Sequence, residues 1–276
     1  AGGCHYAIGV RTAPVTGAAV VEIFDPGLNT WSLGPLMPTP RRGLGAATIG
    51  NKIYVVGGSD GGQPHVGTPL AANEVLDTSI NTWSALAPMP IPMMGVYSTV
   101  AWGGRVYVIG GFDGANVSGA VQIYDPASDT WSPGAPMPTP RSNGLAGICG
   151  GNIFVIGGFD GGGNNLDVNE AYNPATNTWD TAPPMPTVGS EFAVSGVSAF
   201  GSIHAIGSGI FGQAQSIHEA FTYPPSTVGG TTSFLTGDSS SSVGSIFGYS
   251  AAAAVVVALV ASGAWYARRR RQATGV

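Results

Sequence analysis

One unit recurs along this chain, and its repetition limits what the chain can fold into more than any single motif does. The copy within 152–186 is complete. An apolar run, Ile153-Phe154-Val155-Ile156, closes on the doublet Gly157-Gly158. A polar, glycine-rich loop follows, then Glu170-Ala171-Tyr172, Trp179 seven positions after the tyrosine, and Pro184-Met185-Pro186. The same order returns as Ile53 to Gly58, Glu74 to Leu76, Trp83 and Met89-Pro90, and again as Val106 to Gly111, Ile123-Tyr124, Trp131 and Met137-Pro138. With doublets at 2, 57, 110 and 157 and tryptophans at 31, 83, 131 and 179, the period is about fifty residues, the size of one small sheet in a repeat array.

Each unit reads as four short strands: a small-residue strand such as Ala46-Ala47-Thr48-Ile49, the apolar run, the segment with the Tyr position, and the segment with Trp. Segments this short, bounded by Gly, Pro, Asn and Asp, make antiparallel sheet rather than helix. One such sheet cannot cover both its faces, whereas sheets packed radially around an axis cover them and leave only short edges. The predicted fold class is therefore all-β, a propeller of four-stranded antiparallel blades with four to five units over 1–225. The fifth unit is worn: Glu219-Ala220-Phe221 stands at the Tyr segment and no tryptophan completes it. Ala1-Gly2-Gly3 reads as a strand end and its doublet, so the expectation is an upstream segment beyond this sequence. Two closures fit, one with further blades upstream and one in which 2–31 and 200–223 meet.

The doublets Gly2-Gly3, Gly57-Gly58, Gly110-Gly111 and Gly157-Gly158, with the pairs Phe24/Trp31, Leu76/Trp83, Tyr124/Trp131 and Tyr172/Trp179, resemble the Kelch repeat family over 1–225. The resemblance implies a Kelch-type β-propeller in which Tyr and Trp pack between blades and the glycines allow a tight strand exit. It also implies a site. Kelch propellers that bind peptides use Arg and Ser just after the Met-Pro segment, a place matched by Arg41 and by Arg141 with Ser142, while Met93 departs from it.

The remainder of the chain is of another kind. Residues 226–245 are rich in Gly, Ser and Thr and read as a flexible polar stalk. Residues 246–267 carry no charge; at about 1.5 Å per residue they span roughly 33 Å, enough for bilayer hydrocarbon. Trp265 and Tyr266 stand at an interfacial position and Arg268 to Arg271 follow, so 268–276 is predicted to be a cytoplasmic tail. The expectation is one C-terminal transmembrane helix with the propeller outside the cytoplasm. The same tail resembles C-terminal sorting signals of bacterial surface proteins, in which the helix is removed. Outside that tail six basic residues face 15 acidic ones, a balance that disfavours nucleic acid and anionic lipid as partners of the propeller.

Residues able to carry chemistry are few. His5, His65, His204 and His218 lack the short ligand spacing of a zinc site, and neither a metal nor a cofactor is expected. Cys4 and Cys149 occupy different places in units far apart and read as two separate thiols. Galactose oxidase shares the Kelch-type propeller, but Tyr6 beside Cys4 and His5 does not supply its set of Tyr, His and Cys. Glu22, Glu74, Glu170 and Glu219 recur at one place, with Gln122 as the exception, and repetition argues for structure. Asp60, Asp113 and Asp160 recur after the doublets and read as acceptors of turn amides. Asp167 and Glu191 break the pattern and are the carboxylates a sugar-acting enzyme would use.

The preferred reading is not an enzyme but a protein- or glycan-binding module, its partner met by loops gathered at one end of the axis. The candidate ligand-binding residues are Arg41, Arg42, His65, Asn116, Arg141, Ser142, Asn143, Asn164 and Glu191. Three arginines there would grip a carboxylate-bearing ligand; alternatively Arg41 and Arg141 pair with neighbouring acids. Two other classes stand beside this one, a propeller enzyme acting on sugars and a substrate-recognition adaptor for ubiquitin ligation. Asn116-Val117-Ser118 is an N-glycosylation acceptor in a eukaryotic host.

Overall fold

The computed structural model describes residues 5–8, 19–61, 67–189, 197–199, 202–210, 213–222 and 233–236. Its strands fall into five antiparallel sheets in chain order. The first holds β1 (His5–Ile8), β2 (Val21–Asp25) and β3 (Thr30–Leu33). The second holds β4 (Gly45–Ile49), β5 (Lys52–Val56), β6 (Asn73–Asp77) and β7 (Thr82–Ala85), and the third β8 (Thr99–Trp102), β9 (Arg105–Phe112), β10 (Val117–Asp125) and β11 (Thr130–Gly134). The fourth is β12 (Leu145–Cys149), β13 (Asn152–Phe159), β14 (Asn165–Asn173) and β15 (Thr178–Ala182), and the fifth β16 (Val197–Ala199), β17 (Ser202–Ile210), β18 (Gln213–Thr222) and β19 (Ser233–Thr236). The first strands of successive blades lie side by side, β4 against β8, β8 against β12, β12 against β16, as the inner strands of a β-propeller do.

The core is divided among the joints between blades. Val21 and Met37 meet Leu44, Val55 and Leu76 at the first joint; Tyr54, Val56 and Met89 meet Val106, Val108 and Tyr124 at the second. Tyr107, Ile109 and Met137 meet Ile153, Val155 and Tyr172 at the third, and Phe154, Ile156 and Met185 meet Ile203 and Phe221 at the fourth. The second, third and fourth sheets thus each hide one face on the blade before and one on the blade after. The second strands β5, β9 and β13 are buried at nearly every position for that reason, while the outer strands β3 and β7 are largely exposed.

Register holds each Tyr position opposite its tryptophan: Phe24 faces Trp31, Leu76 faces Trp83, Tyr124 faces Trp131 and Tyr172 faces Trp179. The indole then reaches back one blade. Nε1 of Trp83 donates to the Pro35 carbonyl at 3.0 Å, that of Trp131 to Ala87 at 2.8 Å and that of Trp179 to Ala135 at 2.8 Å. The hairpin before each tryptophan turns on Asn29, Asn81, Asp129 or Asn177, all at positive φ, a conformation these short polar side chains tolerate. Asp129 Oδ1 accepts from Tyr124 Oη at 2.6 Å and from the Ala87 amide of the preceding blade at 2.8 Å. Asn177 repeats this with Tyr172 and Ala135. Burial first, and the Asp129 partner second, push the Tyr124 phenol well above its ordinary value. At Gly110, with φ of 69°, a Cβ would run into the Arg141 carbonyl of the next loop, so the doublet serves close approach as well as the exit turn.

Two boundaries differ from the sequence reading. The strand that pairs with β2 is His5–Ile8, with Ile8 opposite Val21, whereas in the second blade Val56 opposes Asn73 just before Gly57. The doublet's place in the first blade therefore follows Ile8, and Gly2-Gly3 precedes the strand instead of closing it. At the other end β19 lies within the stretch read as a stalk, and Phe234 faces Phe221 as Trp179 faces Tyr172. The propeller thus extends to Thr236, with phenylalanine in the tryptophan's register. Among the described residues no helix is long and apolar enough to cross a membrane; the expected helix at 246–267 and the tail 268–276 lie outside them.

Candidate functional site

The loops that carry the chain from one blade to the next lie beside the turns that follow the glycine doublets. Arg42 and Ser59 exchange backbone hydrogen bonds of 3.0 and 2.8 Å, Met94 and Phe112 of 2.9 and 2.8 Å, Ser142 and Phe159 of 3.0 and 2.8 Å. The second glycine of each doublet donates to the following loop, Gly58 to Met93, Gly111 to Arg141 and Gly158 to Gly189. The loops also join one another, the Gly95 amide to the Gly43 carbonyl and the Asn143 amide to the Gly95 carbonyl, each at 2.9 Å. One end of the propeller is thereby a hydrogen-bonded collar, and the expected gathering of loops is found there.

The collar turns its arginines inward. Arg41 is 0% exposed and Arg141 1%. Arg41 Nη1 lies 2.9 Å from Glu74 Oε2, and Nη2 donates to the Val55 carbonyl at 3.0 Å. Arg141 Nη1 pairs with Glu170 Oε2, and Nη2 donates to the Val155 carbonyl at 2.8 Å. Thr39 and Thr139 complete the arrangement by donating to the other carboxylate oxygen, at 2.6 and 2.9 Å. Burial draws both guanidinium groups below their ordinary value, and the paired glutamates act against it. In the third blade both partners change: Met93 replaces the arginine and Gln122 the glutamate. The Gln122 amide then accepts from Ile91 N at 2.9 Å and donates to Ile91 O at 3.1 Å. Paired replacement of this kind identifies a structural tie between the incoming loop and the third strand.

This corrects the expected ligand grip. Arg41, Arg141, Ser142 and Asn143 are buried, so none presents its side chain to a ligand outside the fold; the guanidinium groups are occupied by Glu74 and Glu170. Arg42 is half-buried. His65 and Glu191 lie outside the described residues. Asn116 and Asn164 are exposed, each at the tip of a turn after a doublet.

Those tips are acidic. Asp113 Oδ1 accepts from the amides of Ala115 and Asn116, each at 2.8 Å. Asp160 Oδ1 accepts from Gly162 and Asn164 amides at 2.7 and 3.1 Å, and its Oδ2 from Asn164 Nδ2 at 2.7 Å. Asp60 accepts from Thr68 N at 2.8 Å. These are the turn roles expected from sequence; Asp60 and Asp113 are exposed and Asp160 is half-buried. The Asn116 and Ala115 amides hold the Asp113 carboxyl below the usual range, and Asn164, first through its side chain, does the same for Asp160. The exposed charge at this end of the described molecule is therefore negative, opposite in sign to the arginine site drawn from sequence. The spacing of Asp60, Asp113 and Asp160 carried that signal.

Elsewhere, Cys149 is buried at the fourth joint, and Cys4 lies outside the described residues. Among the described residues no three His, Cys, Asp or Glu side chains gather as a metal site. Asp167 is half-buried on β14. A cleft of about 410 Å³ lies beside the fourth joint, lined by Phe154, Ala171, Ala182, Pro183 and Phe221, where the other joints carry an indole on the preceding blade.

A family model described as Kelch motif matches residues 40–90, 97–138 and 140–186, half of the chain. The chain is 35% identical to Kelch-like protein 7 of Rattus norvegicus over 102 residues, 36% of this chain and 16% of that protein. It is 31% identical to Kelch-like protein 25 of Xenopus tropicalis over 96 residues, 34% of this chain and 15% of that protein. The matches thus span about a sixth of the length of these relatives. Among solved structures, that of YjhT superposes with a TM-score of 0.70 at 16% identity, covering 85% of this chain and 81% of that one, a likeness of fold. With the Kelch model recurring in register with the blades, the chain belongs to the Kelch repeat family.

Proposed function

We propose that this propeller is a binding module whose loop end receives a protein partner with a basic surface. The observation that carries the reading is the division of charge at that end. Arg41 and Arg141 are consumed inside the collar, while Asp60 and Asp113 stand exposed and Asp160 half-buried on turns fixed by the collar's backbone. A rigid row of carboxylates favours and orients a cationic partner and speeds its approach at low salt. The recurring acids inside the blades serve the fold, so the chain is read as a binding module and not as an enzyme. In this reading the apolar stretch 246–267 and the arginines after it tether the propeller outside the cytoplasm, a placement supported by their hydropathy and charge order.

The test is comparative capture with the full chain in detergent. Proteins retained by the natural chain are expected to be retained by a Lys52→Glu variant, altered at the opposite end of the same blades, and lost with Asp113→Lys/Asp160→Lys. Equal retention by all three would overturn the reading.

A further inference from the structure

The third strand of each blade carries one buried position that answers the loop leading into that blade. Glu74 has Arg41 and Glu170 has Arg141; Gln122 has the Ile91 backbone where Met93 replaces the arginine. In the fifth blade only half of the pair has changed. Gly189 stands in the arginine's place, because its carbonyl accepts from Gly158 as the Arg141 carbonyl accepts from Gly111 and the Met93 carbonyl from Gly58. The acid remains. Glu219 faces Ala205 in the register in which Glu170 faces Val155 and Glu74 faces Val55. It is 6% exposed, and its Oε2 has no hydrogen-bond partner among the described residues.

A buried carboxylate without a cation is costly, and loss of one member of such a pair is strongly destabilising. The third blade shows the remedy available to this fold, an amide in place of the acid, and the fifth blade has not taken it. We propose that Glu219 is the receptor for a guanidinium group supplied from outside, the arginine side chain of a bound protein. That arginine takes the place Arg141 fills in the fourth blade, with one arm on Glu219 and another on the Ala205 carbonyl, the counterpart of Val155. The inference rests on the loop-end reading for the side from which the partner arrives. Its chemistry stands on Glu219 and Gly189 alone.

The probe is N-acetyl-arginine amide, with N-acetyl-citrulline amide as its neutral counterpart of the same shape, titrated against the full chain by calorimetry. The arginine derivative is expected to bind at least about tenfold more tightly than the citrulline one, as a charge-assisted pair requires. Glu219→Gln removes that selectivity. Gly189→Arg, which supplies the guanidinium from within, removes binding and raises the melting temperature. Equal binding of the two probes, selectivity surviving in Glu219→Gln, or a Gly189→Arg chain that melts lower and still binds arginine would each overturn the proposal. Asp113→Lys/Asp160→Lys is expected to keep arginine-amide selectivity while losing captured partners, which separates failure of this site from failure of the loop end.

Discussion

Asp160 gathers two backbone amides and the Asn164 side chain onto one carboxylate, and that makes its contribution depend on pH. Its folded-state value is depressed, so the stabilisation is complete above the unfolded value of about 3.9 and is lost as pH falls through the folded one. Asp160→Ala should therefore lower the urea midpoint at neutral pH. The gap should narrow below about pH 4 and close once the carboxyl is protonated in both states; a gap that is constant with pH would show that the turn gains nothing from the charge. The role of this aspartate was legible in sequence because a turn after a strand exit has amides to satisfy. The role of Arg141 was legible only as one of two alternatives, a ligand grip or a pairing with a neighbouring acid, of which the structure has the second. Residue type and spacing placed it after Met137-Pro138, but whether its side chain faces solvent or Glu170 depends on the third strand of its own blade, some thirty positions later. Gln122 held the clue, since the glutamate disappears in the same copy in which the arginine does.

At the scale of elements, the second to fourth blades are each tied to the one before by an indole hydrogen bond, and the third and fourth also by an Asx side chain that accepts from an amide of the preceding blade. Trp131→Phe keeps the ring against Tyr124 but loses the bond to the Ala87 carbonyl, and should cost about 1 kcal/mol by denaturant unfolding. Gly110→Ala should cost more, because the added methyl meets the Arg141 carbonyl at a positive φ. The fifth blade offers a gain. Phe234 holds the tryptophan's register, and Phe234→Trp should raise the melting temperature; no change or a loss would show that this blade is closed differently. Sequence reading missed β19 because its hairpin is long. Thirteen positions separate Phe221 from Phe234 where seven separate Tyr172 from Trp179, and the Gly, Ser and Thr of that loop look like a linker. The first blade was misplaced for a related reason: Gly2-Gly3 resembles a doublet, but only pairing with β2 shows which residues form the strand.

For the whole molecule, blades joined only to neighbours make a quasi-one-dimensional array in which stability resides in the joints and within-blade ties. The repeat period made this architecture legible, since no other feature explains four copies of one unit. The central claim is that the chain uses its recurring charged pairs to build blades and leaves its turn aspartates to meet partners. Chemical unfolding of Arg141→Met, Glu170→Gln and the double variant tests that claim most directly. Each single change leaves one charged or polar group buried without its partner and should cost about 3–5 kcal/mol, while the double variant, which copies Met93 and Gln122, should recover most of the loss. Losses that simply add in the double variant, or single variants as stable as the natural chain, would contradict it.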